Sequence, residues 1–250
     1  MTKSIAVAGK GGTGKSTIAS LLINRLVERG MKPVLAVDAD PDCNLGMLLG
    51  SGEIETIGDL REELLRNIKD FPAGMTKANY IESGLHQIIG EYEGYDLITM
   101  GKGEGASCYC YINSLIRKFC DDLTPAYPWV IIDNEAGLEH LSRRTTTDID
   151  ALIVVVNESP LSFSCGEKIK EIISDINGRI EKIYVVTSMV NPRRLSEVHK
   201  RIKGLQMEHL ADIPRNGEIE EVVFNGQPIR EVKGPSLIKE IDRIINKIGG

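Results

Sequence analysis

A chain of 250 residues, 42% hydrophobic and 26% charged, has the length and balance of one large globular unit, past the size at which a core is hard to bury. Its apolar runs fall well short of the ~20 residues of a membrane span, and a net charge of −6 argues against a general nucleic-acid-binding field. Met1-Thr2-Lys3 leads straight into apolar residues, so the expectation is a cytoplasmic protein without a signal peptide, its five cysteines in reducing surroundings rather than in structural disulfides. A single domain over residues 1–250 is expected, with no nucleic-acid or membrane partner.

The first element is the short apolar strand Ser4 to Val7. It runs into Ala8-Gly9-Lys10-Gly11-Gly12-Thr13-Gly14-Lys15-Ser16-Thr17, in which Gly9, Gly14, Lys15 and Ser16 fill the G-x-x-x-x-G-K-[ST] pattern of a phosphate loop. Glycines let backbone N–H groups turn inward on an anion, and the start of the next helix adds its positive dipole end. In that pattern Lys15 serves the outer phosphates of ATP or ADP, and the Ser16 hydroxyl is placed for Mg²⁺. Ile18, Leu21, Leu22 and Leu26 then predict a helix over Ser16 to Arg29, ended by Gly30.

Lys10, the second residue of the loop, adds information. In K-G-G-T-G-K-S-T it resembles the signature lysine of the deviant Walker A ATPases, the class of MinD, ParA, Mrp and the nitrogenase iron protein. That resemblance implies an ATP-closed homodimer in which Lys10 reaches the partner's phosphates. From the residues alone, a solvated loop lysine stays open.

Pro33 to Val37 predicts a buried parallel strand ending in Asp38-Ala39-Asp40-Pro41-Asp42-Cys43-Asn44, at the strand edge where open α/β sheets bind ligands. By the class resemblance, Asp40 orients or activates the attacking water and Asp38 supports the Mg²⁺ shell; bottom-up, both acids could instead cap the next turn. From Gly50 to Ser83 the signal weakens to an amphipathic helix at Ile57 to Ile68 and a Pro/Gly-punctuated stretch at Phe71 to Met75, with no role assigned. Asp96 to Met100 is a further strand, followed by the loop Gly101 to Gly105, then Ser107-Cys108-Tyr109-Cys110, and a helix from about Ile112 to Asp122.

Trp129 to Ile132 is a buried strand ending in Asp133, the Walker B arrangement, with Asp133 holding Mg²⁺ through a water. Asp133 to His140 resembles the switch II of the class, Gly137 letting the backbone follow the γ-phosphate. Ala151 to Val156, Lys182 to Val186 and Leu210 to Pro214 extend the alternation, with helices near Ser164 to Asn177 and Arg193 to Lys203 between them. The fold expected is α/β, a P-loop NTPase with about seven mainly parallel strands and helices on both faces. Asn191 and the loop Ile213-Pro214-Arg215 are the nucleobase candidates by class resemblance. The Asn that usually ends the strand Val185 to Asn191 is displaced, and a structural Asn in a turn is an equal reading.

Cysteines at i and i+2 of an extended stretch project to one side, so Cys108 and Cys110 can face one point. Two thiolates do not complete a tetrahedral site, but a two-fold-related copy brings four sulfurs. Lys102, Arg117 and Lys118 could favour the thiolate forms. An ordinary pair of semi-buried cysteines is the alternative. The stretch 101–113, with Asp133 to Arg143, closely resembles the nickel-insertion accessory ATPases of carbon monoxide dehydrogenase, the CooC/AcsF type, over essentially the whole chain. The resemblance implies one Ni²⁺ or Zn²⁺ bound by Cys108 and Cys110 between two subunits, ATP control of dimer state, and carbon monoxide dehydrogenase or acetyl-CoA synthase as client. Thiolates suit both metals without choosing between them.

Cys120, on a helix with Leu115, Ile116 and Phe119, reads as core, and Cys43 as incidental to the acids beside it. A reductase like the nitrogenase iron protein needs a cluster cysteine after Walker B, and 133–147 has none. A positioning ATPase like MinD or ParA is the competing function. MinD-like proteins end in a basic membrane helix, whereas Pro235 to Ile248 reads as a packed helix with Leu237, Ile238, Ile241, Ile244, Ile245 and Ile248 on one face.

Overall fold

The computed structural model describes the chain except residues 1, 53, 67–75, 102–117, 136–148, 176–179 and 233, and the side chains of 64, 65, 77, 78, 174 and 175. Cys108 and Cys110, Lys102, Arg117, Gly137, the Phe71 to Met75 stretch and the first half of the helix expected at 112–122 lie outside the described residues.

Among the described residues eight strands form one sheet: β1 (Lys3–Gly9), β2 (Val34–Ala39), β3 (Gly90–Tyr92), β4 (Tyr95–Thr99), β5 (Trp129–Asn134), β6 (Ile149–Val156), β7 (Ile180–Val190) and β8 (Glu208–Pro214). Their spatial order is β3-β4-β2-β5-β1-β6-β7-β8. All seven strands expected from the sequence are present and parallel, and their burial on both faces explains the near-continuous apolar runs that revealed them. The expectation of about seven mainly parallel strands holds, with one further strand among the described residues. Gly90–Tyr92 adds an antiparallel edge strand on β4 through the tight turn at Glu93-Gly94. At three residues, and with no apolar run, it carries no periodicity to read.

The helices are α1 (Lys15–Glu28), α2 (Asn44–Leu49), α3 (Ile57–Arg66), α4 (Lys77–Gln87), α5 (Pro160–Asp175), α6 (Leu195–Leu205), α7 (Gly217–Phe224) and α8 (Pro235–Gly249), with a further helical stretch at 118–123. One apolar layer joins α1, α2, α7 and α8 to the sheet, and the opposite layer joins α3, α4, α5, α6 and the 118–123 stretch. Cys120 packs in the second layer, and burial pushes its thiol up to about 12. Among the described residues no helix is long and apolar enough to cross a membrane.

The terminal helix α8 turns its apolar face inward: Leu237, Ile241, Ile244, Ile245 and Ile248 are all buried. Arg25 of α1 grips Asp242 with two hydrogen bonds of 2.8 Å, and Arg29 reaches the same carboxylate at 3.3 Å. The stripe that would serve a membrane foot is thus spent on the core. Replacing Ile244, fully buried, by Ala is expected to lower stability by about 2–5 kcal/mol through lost burial and a residual cavity. The check is a urea titration in which the midpoint drops while the slope stays the same.

Candidate functional site

The loop after β1 is built by glycines at two points that admit no other residue. Gly9 has φ 145, and a Cβ there would stand 2.5 Å from the Val155 carbonyl oxygen of the neighbouring strand. Gly14 has φ 87, with the Ser188 hydroxyl 3.0 Å from where its Cβ would be. Gly11 and Gly12 are different: both are exposed, and nothing lies within 4 Å of a Cβ at either, so this rim of the loop is open. Inside the loop Thr13 is fully buried and donates from both its backbone N–H (3.2 Å) and its hydroxyl (2.7 Å) to the Lys10 carbonyl.

Gly14 is also the N-cap of α1, which begins with neither a capping side chain nor an acidic residue in its first turn. A helix start left in that state directs its N–H groups and positive dipole end at an anion. Lys15, the first helical residue, is buried, and Ser16 and Thr17 follow half-buried. Lys10 is half-buried on the loop's shoulder.

Beneath the loop, the register of the sheet brings two acids together. Asp38 on β2 is the direct partner of Asp133 on β5, and both side chains are fully buried. They are satisfied very differently. Asp38 accepts from the backbone N–H of Leu45 at 2.9 Å and of Asp40 at 3.2 Å, so it holds the loop that follows its own strand; burial still pushes its carboxyl up to about 6. Neither oxygen of Asp133 completes a hydrogen bond of normal geometry. Burial pushes this carboxyl up to about 7, the nearby Ser16 hydroxyl and Lys15 pull it back, and Asp38 and Asp40 push it further up.

Two orphaned carboxylate oxygens beside a serine hydroxyl, under an uncapped helix start, suit a hard divalent cation next to a phosphate. Ser16 and Asp133 are the residues able to hold Mg²⁺, with Asp38 adding negative charge from the neighbouring strand.

Asp40 is half-buried one step further out, where its carboxylate accepts from the Asp42 N–H at 3.0 Å and its carbonyl from the Cys43 N–H at 3.0 Å. Asp38 and Asp40 therefore do engage their own turn, and both stand on the phosphate-loop edge of the sheet. Cys43 occupies a left-handed position, φ 53, at the start of α2; burial and the neighbouring Asp38 raise its thiol, which suits a protonated, inert cysteine.

The nucleobase candidates lie at the ends of adjacent strands, Val190 of β7 pairing with Pro214 of β8. Asn191 is exposed and its side chain accepts from the Arg193 N–H at 3.0 Å, capping the short 3-10 turn Pro192–Arg194. Arg215 is exposed and ion-paired with Glu220 at 2.6 Å. Sequence reasoning missed Ser188 and Met189 of β7, the side chains that a Cβ at Gly14 would meet, Met189 itself at φ 57. The signal was the polar pair Thr187-Ser188 directly after the apolar run Ile183 to Val186. Asn134 was also missed; buried next to Asp133, it donates to the Val7 carbonyl at 3.1 Å and so ties β5 to the strand that launches the loop.

A carboxyl whose folded pKa stands above its unfolded value keeps its proton longer in the folded chain. Between about pH 4 and pH 7, the span set by Asp133, the folded state then binds more protons than the unfolded one, and stability falls as pH rises. In chain free of Mg²⁺ and nucleotide, Asp133→Asn should therefore be more stable than wild type at pH 8, by ~1 kcal/mol or more, with the difference shrinking toward pH 5. Denaturant titrations of both chains at the two pH values check this.

Residues 4–229 match the family described as CbiA, the CobQ/CobB/MinD/ParA nucleotide binding domain. An uncharacterized ATP-binding protein of Methanocaldococcus jannaschii is 39% identical over 247 residues, covering 98% of this chain and 97% of its own. The carbon monoxide dehydrogenase accessory protein CooC of Rhodospirillum rubrum is 28% identical over 232 residues, covering 86% and 85%. Among solved structures, the MinD cell division protein of Aquifex aeolicus superposes with a TM-score of 0.71 at 19% identity, covering 100% of this chain and 98% of that one. With its uncapped helix start, glycine-built loop and paired strand-end acids, the chain belongs to the CobQ/CobB/MinD/ParA nucleotide-binding family and is an ATPase with the MinD/ParA-type P-loop fold.

Proposed function

We propose that this ATPase is a metallochaperone: ATP binding and hydrolysis control the meeting of two copies, and Cys108 and Cys110 of each copy together carry one Ni²⁺ or Zn²⁺ for insertion into carbon monoxide dehydrogenase or acetyl-CoA synthase. The observation that carries this reading is Cys108-Tyr109-Cys110 in a chain that aligns over most of its length with CooC of Rhodospirillum rubrum, a carbon monoxide dehydrogenase accessory protein. The surroundings of the segment support it. Met100 donates its N–H to the Asp38 carbonyl at 2.8 Å, and in the sequence the stretch leading to both cysteines begins just after Met100. A shift of that acid with the γ-phosphate is thereby passed directly to the root of the cysteine segment.

In this reading Gly9 through Thr17 and the start of α1 bind the phosphates, Lys15 neutralises the outer ones, and Lys10 reaches those of the second copy. Ser16 and Asp133 would hold Mg²⁺, which when bound would supply charge neutralisation on the transferred phosphoryl group. Asp40 orients the attacking water, its carboxylate being the outermost of the three acids. Asn191, Pro214 and Arg215 border the base from the ends of β7 and β8.

A positioning role like that of MinD or ParA proteins has the shared family and fold behind it. The inward face of α8 weighs against a membrane foot. ATP-dependent sedimentation with liposomes would favour that role instead.

Asp40→Ala is expected to retain ATP binding and lose about 10²-fold or more in turnover; turnover near wild type would remove Asp40 from the chemistry. Cys108→Ser with Cys110→Ser should abolish binding of one Ni²⁺ or Zn²⁺ per dimer while ATP affinity stands, and full metal retention would overturn the delivery role. Metal affinity measured with ADP and with a nonhydrolysable ATP analogue should differ. Equal values would sink the coupling and spare the metal site.

A further inference from the structure

A second set of metal-binding side chains lies away from the phosphate loop, and a fault in strand pairing creates it. On a regular strand His209 and Asp212, three residues apart, would point to opposite faces. In β8, Val185 pairs with His209 but Val186 pairs with Ala211, so Leu210 is an inserted residue. Leu210, Ala211 and Ile213 all pack into the layer of α1 and α8. His209 and Asp212 are thereby both turned to the other face, where α6 presents His199.

The three side chains converge. His199 Nε2 lies 2.9 Å and 3.1 Å from the two Asp212 oxygens, and His209 Nε2 lies 3.0 Å from Oδ1. One ligand atom from each residue falls within 4.8 Å of the other two. The Thr187 hydroxyl, from the paired position on β7, donates to the same Oδ1 at 2.6 Å.

As a hydrogen-bond network this is overcrowded: three potential donors approach one carboxylate oxygen that offers two lone pairs. As a coordination shell it is well proportioned. Bonds of about 2.0–2.1 Å at roughly 90–109° to one another set neighbouring ligand atoms about 3.0–3.4 Å apart. The side chains are 36%, 25% and 29% exposed for His199, His209 and Asp212, which leaves a path for an ion and room for a water as fourth ligand. Thr187 then acts as the outer partner that orients the ligating carboxylate.

We propose that His199, His209 and Asp212 bind one divalent transition-metal ion of the Zn²⁺ class per chain, separate from the Ser16–Asp133 cation site and from Cys108 and Cys110. Two imidazoles and one carboxylate suit Zn²⁺, Co²⁺ or Ni²⁺ and disfavour Mg²⁺ and Ca²⁺. The ion would fasten α6 to the β7–β8 edge. Thr187 immediately precedes Ser188, which stands close beside Gly14 of the phosphate loop, and Asp212 lies two residues before Pro214.

The test uses full-length chain carrying Cys108→Ser and Cys110→Ser, stripped with EDTA and titrated with ZnCl₂ in competition with a chromophoric chelator. One Zn²⁺ per chain is expected, with affinity falling by ~10-fold or more when His199→Gln, His209→Gln or Asp212→Asn is added. Loading the same cysteine-substituted chain, histidines intact, with Co²⁺ should produce d–d absorption without thiolate charge transfer, a reading that needs no histidine variant to fold. Zinc binding unaffected by all three substitutions, no binding by the cysteine-substituted chain, or a thiolate spectrum overturns the site. Because the cysteines are absent throughout, these outcomes leave the cysteine-borne metal of the proposed function untouched.

Discussion

Two carboxylates buried shoulder to shoulder are the constraint around which this fold is arranged. Asp38 and Asp133 are register partners on adjacent parallel strands, out of contact with water, and Asp38 adds to the cost that burial puts on ionising Asp133. The chain resolves half of the conflict by itself, through the N–H groups of Asp40 and Leu45 that close on Asp38. The other half it leaves open at Asp133. A site with an unpaired buried acid beside Lys15 and an uncapped helix start is most stable when a cation and an anion arrive together, which is the demand of a metal-bound nucleotide.

That arrangement also decides which segments adjoin the phosphate loop. β4, β2, β5 and β1 are four successive parallel strands, so their C-terminal ends lie side by side along one edge of the sheet. Asn134 ties β5 to β1, Asp38 ties the β2 loop to α2, and Met100 ties the end of β4 to Asp38. These bonds add to the strand ladders, and Asp38 holds both the β2 loop through its carboxylate and the end of β4 through its carbonyl. On the other side of β1, the Ser188 hydroxyl stands close beside Gly14, which puts β7 next to the phosphate loop. The phosphate loop thus touches both halves of the molecule.

Much of this was legible in the residues. The β/α alternation, seven strands, the phosphate loop and the strand-end acids all follow from local patterns: apolar runs of strand length, helical periodicity, and glycines at fixed spacing beside Lys15 and Ser16. Local chemistry of that kind survives in any fold that buries a parallel sheet on both faces. The short elements were not legible. The antiparallel Gly90–Tyr92 and the two-turn helices α2 and α7 are too brief for a period to show, and α4, whose helix is marked by the Thr76 cap on the Asn79 N–H, has little apolar contrast in its sequence.

What the linear chain determined, then, was the identity of the chemistry: a phosphate-binding loop, acids at strand ends, a pair of thiols two residues apart. Tertiary structure alone decided which of these groups meet and in what state. That Asp38 faces Asp133 depends on which strands become neighbours, and that Asp133 stays unsatisfied depends on where the β2 loop closes. His199 and His209 joined Asp212 because one extra residue in β8 reversed the alternation of its side chains. Strand order, register and bulges are set by contacts between residues far apart in the chain, and no local pattern encodes them.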